Sequence, residues 1–199
     1  MLGSHAASLV RRRLRSVWKR LLLQLPLEPF TRVRWSVGGD MTVSGSCLCA
    51  GVRFEIDQAV GPFEICHCNR CRKTSGGAGL PMLRVETRYY RMLEGQDLVQ
   101  GYEAPILYRP PAYHASFCSR CGSPVPPAEP EGDTFEIAAG LLDDDPKMRP
   151  DKHIFVEFLP AWDAITDGLP EYTIDKLYQE RRGVPLPEGF TLKRHGEGS

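Results

Sequence analysis

Short runs in which apolar and polar residues alternate recur along the central part of the chain. A period of two is typical of half-buried β-strands, and prolines and glycines separate the runs. The pattern predicts a mostly β fold of several short, strongly curved antiparallel sheets, with a single helical turn at 69–73. The predicted strands are 52–56, 63–65, 98–102, 106–109, 113–117, 134–138 and 153–158.

A different period, close to 3.6 residues, marks the start of the chain. Apolar residues recur between arginines within 9–25, and Pro26 ends this basic amphipathic helix. Three interpretations are open: weak contact with an anionic membrane surface, an organelle transit peptide, or an extension upstream of a second methionine, Met41. The last is favoured, because nothing in 1–40 matches the chemistry downstream. We therefore expect an N-terminal extension at 1–40, a compact domain at 41–182 and a tail at 183–199.

Charge is distributed unevenly, although the net charge of the 199 residues is zero. Residues 1–40 carry eight Lys or Arg against two acids, whereas the remainder carries 17 against 23. A mildly acidic body argues against general nucleic-acid binding, which requires a basic surface. No run approaches the roughly 18 apolar residues of a transmembrane helix, so no such segment is expected.

The seven cysteines fall into three tight motifs, C-x-C, C-x-C-x2-C and C-x2-C. Cysteines this close rarely bridge each other, and no apolar signal segment accompanies them, so metal binding is favoured over a disulfide framework. Thiolates must stay reduced to hold a metal, which predicts a reducing, cytoplasmic location. The motifs comprise Cys47 and Cys49, then Cys66, Cys68 and Cys71, then Cys118 and Cys121.

Tetrahedral zinc needs four ligands, so the first and last motifs together predict one closed, structural zinc site. In the first motif, Gly51 is expected to take the positive φ of a tight turn, and Gly122 is expected to do so after the last. The site crosslinks segments about 70 residues apart and stabilises the fold without chemistry. Its predicted ligands are Cys47, Cys49, Cys118 and Cys121.

The central motif leaves three cysteines for a second zinc with an open position, which is typical of catalytic zinc. A zinc ion held by three thiolates is suited to bind an incoming thiol, because coordination keeps that thiol deprotonated at neutral pH. Neighbouring Arg70, Arg72 and Lys73 are candidates to bind the carboxylates of a peptide thiol, although a solvated basic face is an equal alternative. The predicted ligands are Cys66, Cys68 and Cys71.

Two histidines lie near this second site in the sequence or in the expected sheet. His67 stands between two ligands, so on an extended backbone its side chain should point away from the metal. His153 is a candidate general acid or substrate contact at the open zinc, although a hydrogen-bonded structural histidine is favoured. Lys73 and Tyr113 are the other candidates for the general acid.

The order and spacing of all seven cysteines resemble those of the glutathione-dependent formaldehyde-activating enzyme family, also called the centromere protein V family. The resemblance covers about residues 41–170 and implies a fold similar to the Mss4 proteins, with the two zinc ions assigned to the four and three cysteines above. Members often have Arg-Gly where this chain has Ala115-Ser116, and Ser-Ala-Phe where it has 77–80. Both differences are expected to reshape the wall of the substrate pocket.

The resemblance implies a zinc-dependent carbon–sulfur lyase that acts on the adduct of a small aldehyde with a thiol such as glutathione. The alternative is a non-catalytic zinc-binding module with a protein partner. A third hypothesis is iron or an iron–sulfur cluster, because four cysteines can hold either. The oligomeric state is left open.

Overall fold

The computed structural model describes residues 42–104, 113–188 and 190. The predicted helix within 9–25, the rest of the expected extension at 1–40 and the strand predicted at 106–109 lie outside the described residues. Among the described residues, no helix is long and apolar enough to span a lipid bilayer.

The described residues form ten short strands in three sheets, which confirms the predicted mostly β fold. A three-stranded sheet has the order β1-β2-β5, a five-stranded sheet has the order β10-β9-β3-β4-β8, and β6 pairs with β7. The strands are β1 (Val43–Ser46), β2 (Arg53–Ile56), β3 (Ala59–Cys66), β4 (Leu80–Glu86), β5 (Tyr90–Glu94), β6 (Val99–Ala104), β7 (Tyr113–Cys118), β8 (Thr134–Ala138), β9 (Lys152–Ile154) and β10 (Glu171–Tyr172).

Two α-helices accompany the five-stranded sheet: α1 (Asn69–Ser75) and α2 (Ile174–Arg182). Short 3₁₀ helices connect other elements at Thr87–Tyr89, Gln96–Leu98, Ala139–Leu141 and Val156–Phe158. Helix α1 extends the single turn predicted at 69–73. Helix α2 was not predicted; Leu177 buries one face of it beside Ile154, so tertiary packing accounts for it better than its sequence pattern does.

The five-stranded sheet is mixed, whereas only antiparallel pairing was predicted. β9 pairs in parallel with both β3 and β10, and antiparallel β4 lies between β3 and β8. The parallel pair joins Glu64 to Lys152, which are far apart in the sequence. Local sequence patterns cannot reveal such pairing, because parallel strands are joined by long connections and pair with residues far away in the sequence.

The strand predicted at 153–158 is correct only for its first two residues. β9 ends at Ile154, and Phe155 takes the left-handed conformation with φ of +58° before the 3₁₀ turn at Val156–Phe158. The ring of Phe155 packs against the buried cluster that contains Leu177. This packing offsets the roughly 1–2 kcal/mol that a left-handed residue costs.

The main core lies where the three-stranded and five-stranded sheets contribute side chains to one buried cluster. Phe54 and Ile56 enter it from β2, and Leu83 and Ile137 enter it from β4 and β8. Gly45 on β1 permits this packing, because a Cβ there would lie 2.2 Å from Cζ of Phe54. A second cluster surrounds Cys66 and Cys71, and a third contains Cys47 and Cys118. The cysteine motifs therefore belong to the folded interior.

We expect Leu83→Ala to lower the free energy of unfolding by about 2–5 kcal/mol, because it opens a cavity at a fully buried position. Chemical denaturation followed by circular dichroism measures the change. Leu93→Ala is the matched control: the Leu93 side chain is largely exposed on β5, so its loss is expected to cost below about 1 kcal/mol. Equal losses for both variants would contradict this assignment of the core.

Candidate metal centres and the adjoining cavity

The structure groups the seven sulfur atoms four and three, and all seven cysteines are free. Within each group the Sγ atoms lie within 4.8 Å of one another. The first group is Cys47, Cys49, Cys118 and Cys121, and the second is Cys66, Cys68 and Cys71.

The four-sulfur group has the dimensions of a tetrahedral metal site. Sγ of Cys49 lies 3.5 Å from that of Cys47 and 3.9 Å from that of Cys118. Zinc–sulfur bonds of about 2.3 Å in a tetrahedron place sulfurs roughly 3.8 Å apart, whereas a disulfide needs about 2.05 Å. The four thiols therefore fit zinc.

Two tight turns present these sulfurs. In the first, the amide of Ala50 donates to the carbonyl of Cys47 at 2.8 Å, and the amide of Val52 donates to Cys47 Sγ at 3.3 Å. The positive φ expected of Gly51 belongs instead to Ala50, at +53°. Gly51 serves close approach, since a Cβ there would lie 2.8 Å from Cδ1 of Leu98.

In the second turn, the amide of Gly122 donates to the carbonyl of Cys118 at 2.8 Å. Gly122 has a φ of +75°, which confirms the left-handed conformation expected there. The hydroxyl of Ser123, 3.4 Å from Cys121 Sγ, and its backbone amide lower the pKa of Cys121 to about 5. One sulfur of this group is thus a thiolate at neutral pH before any metal binds.

The three-sulfur group is built by the end of β3 and the start of α1. Cys66 is held between β4 and β9 by pairing with Leu80 and Ile154. Cys68 caps the helix, because its Sγ accepts the amide of Cys71 at 3.4 Å. Cys66 and Cys71 are only 3% and 2% exposed, whereas Cys68 is half-buried. Solvent therefore reaches this group mainly at Cys68.

Close contact among the three sulfurs separates their acidities. Contacts with the Cys66 and Cys71 thiols lower the pKa of Cys68 to about 3, while contact with Cys68 and burial raise the pKa of Cys66. Cys68 is therefore the first thiolate of the group. Across the described ranges 42–104, 113–188 and 190, no His, Cys, Asp or Glu atom joins the three sulfurs as a fourth potential ligand. The donor set fits a metal with a position left for another group.

His67 turns away from the sulfurs into a buried hydrogen-bond chain with His153. Nδ1 of His67 donates to the carbonyl of Ala78 at 2.9 Å, and its Nε2 lies 2.8 Å from Nδ1 of His153. Nε2 of His153 in turn lies 2.9 Å from a carboxylate oxygen of Asp167. The two rings stack at 26° with centroids 5.0 Å apart. Both nitrogens of His153 are thereby engaged.

Burial lowers the pKa of His67, which favours its neutral ring in this hydrogen-bond chain. Hydrogen bonds from the Leu169 amide and from His153 lower the pKa of Asp167. This hydrogen-bond chain fixes the position of His67, which stands between Cys66 and Cys68.

The three basic residues predicted to contact substrate occupy different surroundings. The guanidinium of Arg70 lies over the ring of Tyr113, 5.3 Å from its centroid. Arg72 donates from Nη1 to the carbonyl of Phe158 at 2.8 Å, which ties α1 to the turn after β9. Lys73 is exposed. The structure therefore brings only Arg70 into contact with a residue of the cavity described next.

A cavity of about 340 Å³ lies near the three-sulfur group, although Cys66, Cys68 and Cys71 are not among its lining residues. Thr74, one helical turn after Cys71, lines it, as do Leu80 and Met82, which pack in the same cluster as Cys66 and Cys71. Ala115 and Ser116, which differ from the family pattern, also line it. Thr74 was not predicted, although its i+3 spacing from Cys71 places both residues on one helix face. The contributions of β4 and β8 were not predicted either, because these strands reach the site through sheet pairing, which local sequence patterns do not show.

The comparisons with known proteins agree with this arrangement. The family model described as glutathione-dependent formaldehyde-activating enzyme matches residues 42–158. A Halomonas elongata protein named "Putative glutathione-dependent formaldehyde-activating enzyme" is 32% identical over 127 residues, which cover 61% of this chain and 80% of that protein. The chain belongs to the glutathione-dependent formaldehyde-activating enzyme family. The family predicted from the cysteine motifs is confirmed.

A crystal structure of a Rhodobacter sphaeroides protein is also similar to this family member. The match has 15% sequence identity and a TM-score of 0.40, and it covers 65% of this chain and 99% of that one.

We expect the two metal groups to respond differently to loss of one sulfur. Cys118→Ser should unfold the domain, because a structural zinc contributes about 10–16 kcal/mol, as much as the whole stability of a typical domain. Cys68→Ser should leave the domain folded and reduce the zinc content from two ions per chain to one. Elemental analysis and circular dichroism measure both effects. Unfolding of Cys68→Ser as severe as that of Cys118→Ser would contradict an exchangeable second site.

Proposed function

We propose that this protein is a zinc-dependent carbon–sulfur lyase that forms and cleaves the adduct of a small aldehyde with a glutathione-type thiol. The observation that carries the proposal is a three-sulfur group beside a cavity, with no fourth protein ligand among the described residues. Family membership and the name of the Halomonas elongata relative support the same substrates. We assign the protein to a reducing, cytoplasmic setting, which its seven free thiols support.

Each cysteine group has its own proposed role. Four sulfurs close one zinc site and hold the fold, whereas Cys66, Cys68 and Cys71 hold the second zinc. When bound there, zinc would supply the Lewis acidity that keeps an incoming thiol deprotonated at neutral pH. The half-buried position of Cys68 leaves this side of the site open to a guest.

The protein's own residues would orient the two substrates. We assign the cavity to the aldehyde-derived part of the adduct, because Leu80, Met82 and Phe135 give it a partly apolar lining. Arg70 is placed to attract a carboxylate of the thiol, with Lys73 as a more exposed second cation. Arg72 and His153 are assigned positioning roles, since their polar groups contact Phe158, His67 and Asp167.

We expect the wild-type protein to accelerate exchange between free glutathione plus formaldehyde and their adduct, measured by exchange NMR with ¹³C-formaldehyde. Cys68→Ser should return the rate to that of the spontaneous reaction while the chain stays folded. Absorption spectra and metal analysis of the wild-type protein test the iron hypothesis, because an iron–sulfur cluster would colour the protein. If the folded, zinc-loaded wild-type protein does not exceed the spontaneous rate, the alternative of a non-catalytic zinc module with a protein partner gains support.

Arg70→Gln is expected to raise KM for glutathione about 2- to 5-fold with little change in kcat, as the loss of a partly exposed ion pair predicts. Arg88→Gln is the matched control, because Arg88 also lies over a tyrosine ring, that of Tyr89, but Tyr89 does not line the cavity as Tyr113 does. Steady-state kinetics at varied glutathione concentration measure both variants. An equal rise in KM for Arg88→Gln would show a nonspecific effect of surface charge.

A further inference from the structure

Addition of a thiolate to an aldehyde leaves negative charge on the carbonyl oxygen, and a nearby donor must neutralise it. The described residues that line the cavity offer few such donors. Glu136 is engaged by Arg84 at 3.4 Å, and His114 is exposed and lies 3.7 Å from Glu103. His153 is engaged at both nitrogens behind the ligand segment.

Tyr113 is the remaining candidate for this donor, because it presents a phenol hydroxyl at the cavity wall. It begins β7, is half-buried, and lines the cavity together with Thr74. Its hydroxyl lies 3.4 Å from Thr74 Oγ1, one helical turn after the ligand Cys71. This distance is longer than the usual 2.7–2.8 Å, so the contact leaves the phenol able to bond to a substrate.

The electrostatic surroundings keep the hydroxyl protonated. Burial raises the pKa of Tyr113, and the negative charge of the three nearby sulfurs adds to the rise, although the contact with Thr74 opposes it. A phenol that retains its proton at neutral pH is a hydrogen-bond donor, which is the form that a developing alkoxide requires.

We propose that the Tyr113 hydroxyl binds the carbonyl oxygen of the aldehyde and protonates it as the carbon–sulfur bond forms. This assignment rests on the proposed function. The thiolate sulfur forms a bond to the carbonyl carbon, the carbon–oxygen π pair moves to oxygen, and oxygen takes the phenol proton. Solvent then returns a proton to the phenolate through Thr74, which replaces the proton that the thiol lost to solvent. In cleavage, each step runs in reverse.

Tyr113→Phe tests the assignment, with Tyr102→Phe as the matched control. Tyr102 lies on the neighbouring strand β6, is 59% exposed, and does not line the cavity. The variants are compared by exchange NMR and by calorimetric binding of two probes of similar shape, S-(2-hydroxyethyl)glutathione and S-propylglutathione. Only the first probe offers a hydroxyl to the phenol.

For Tyr113→Phe we expect kcat to fall about 100-fold while KM changes less than about 3-fold and the zinc content stays at two ions per chain. The wild-type protein and Tyr102→Phe should bind the hydroxyl probe about 2- to 10-fold more tightly than the propyl probe, the worth of one hydrogen bond. Tyr113→Phe should bind both probes equally, with the affinity for the propyl probe unchanged.

The other outcomes separate the two proposals. If Tyr113→Phe retains the hydroxyl preference and a kcat within about 3-fold of wild type, Tyr113 is not the donor. If the variant loses zinc or the propyl probe as well, the residue is structural and the assignment fails. If the zinc-loaded wild-type protein binds neither probe and accelerates no exchange, the proposed function fails, and the role of Tyr113 fails with it.

Discussion

Four sulfur atoms from two distant turns meet within 4.8 Å, and the rest of the fold depends on that convergence. Cys49 and Cys118 are 69 residues apart, and the turns that carry them continue from strands β1 and β7 of different sheets. Thiolates at this separation repel each other by several kcal/mol per pair, even at an effective dielectric constant of 20. A bound cation offsets this repulsion, so zinc at this point would join the two sheets.

The three-sulfur group depends far less on its ion. Cys66 is fixed by pairing on both sides of β3, and Cys71 lies on a helix whose buried neighbours are Leu80, Ile154 and Leu177. Apolar packing therefore positions these sulfurs without requiring an ion. The hydrogen-bond chain from His67 through His153 to Asp167 fixes the residue that stands between Cys66 and Cys68.

Ligand counting predicted the grouping of the cysteines, because tetrahedral coordination needs four donors and the motifs offer pairs and a triplet. The strand at 134–138 was also predictable, since its alternating residues bury Ile137 on one side. Strand β4 was missed because Pro81 argues against a central strand, yet the proline is exposed where β4 begins. The parallel pairing of β3 with β9 was missed because it depends on residues 88 positions apart, such as Glu64 and Lys152.

The cysteine motifs identify the family, but they leave the wall of the cavity unspecified. The three sulfurs lie at the end of β3 and the start of α1, whereas most of the cavity wall comes from β4, β7, β8 and the segment 124–127. Ala115 and Ser116 can therefore differ from the family pattern without disturbing any sulfur. Substitution of these wall residues changes the volume and polarity of the cavity while the positions of the sulfurs stay the same. The shape of the cavity is thus set largely by the sheets, whereas the grouping of the sulfurs is set by the cysteine spacing.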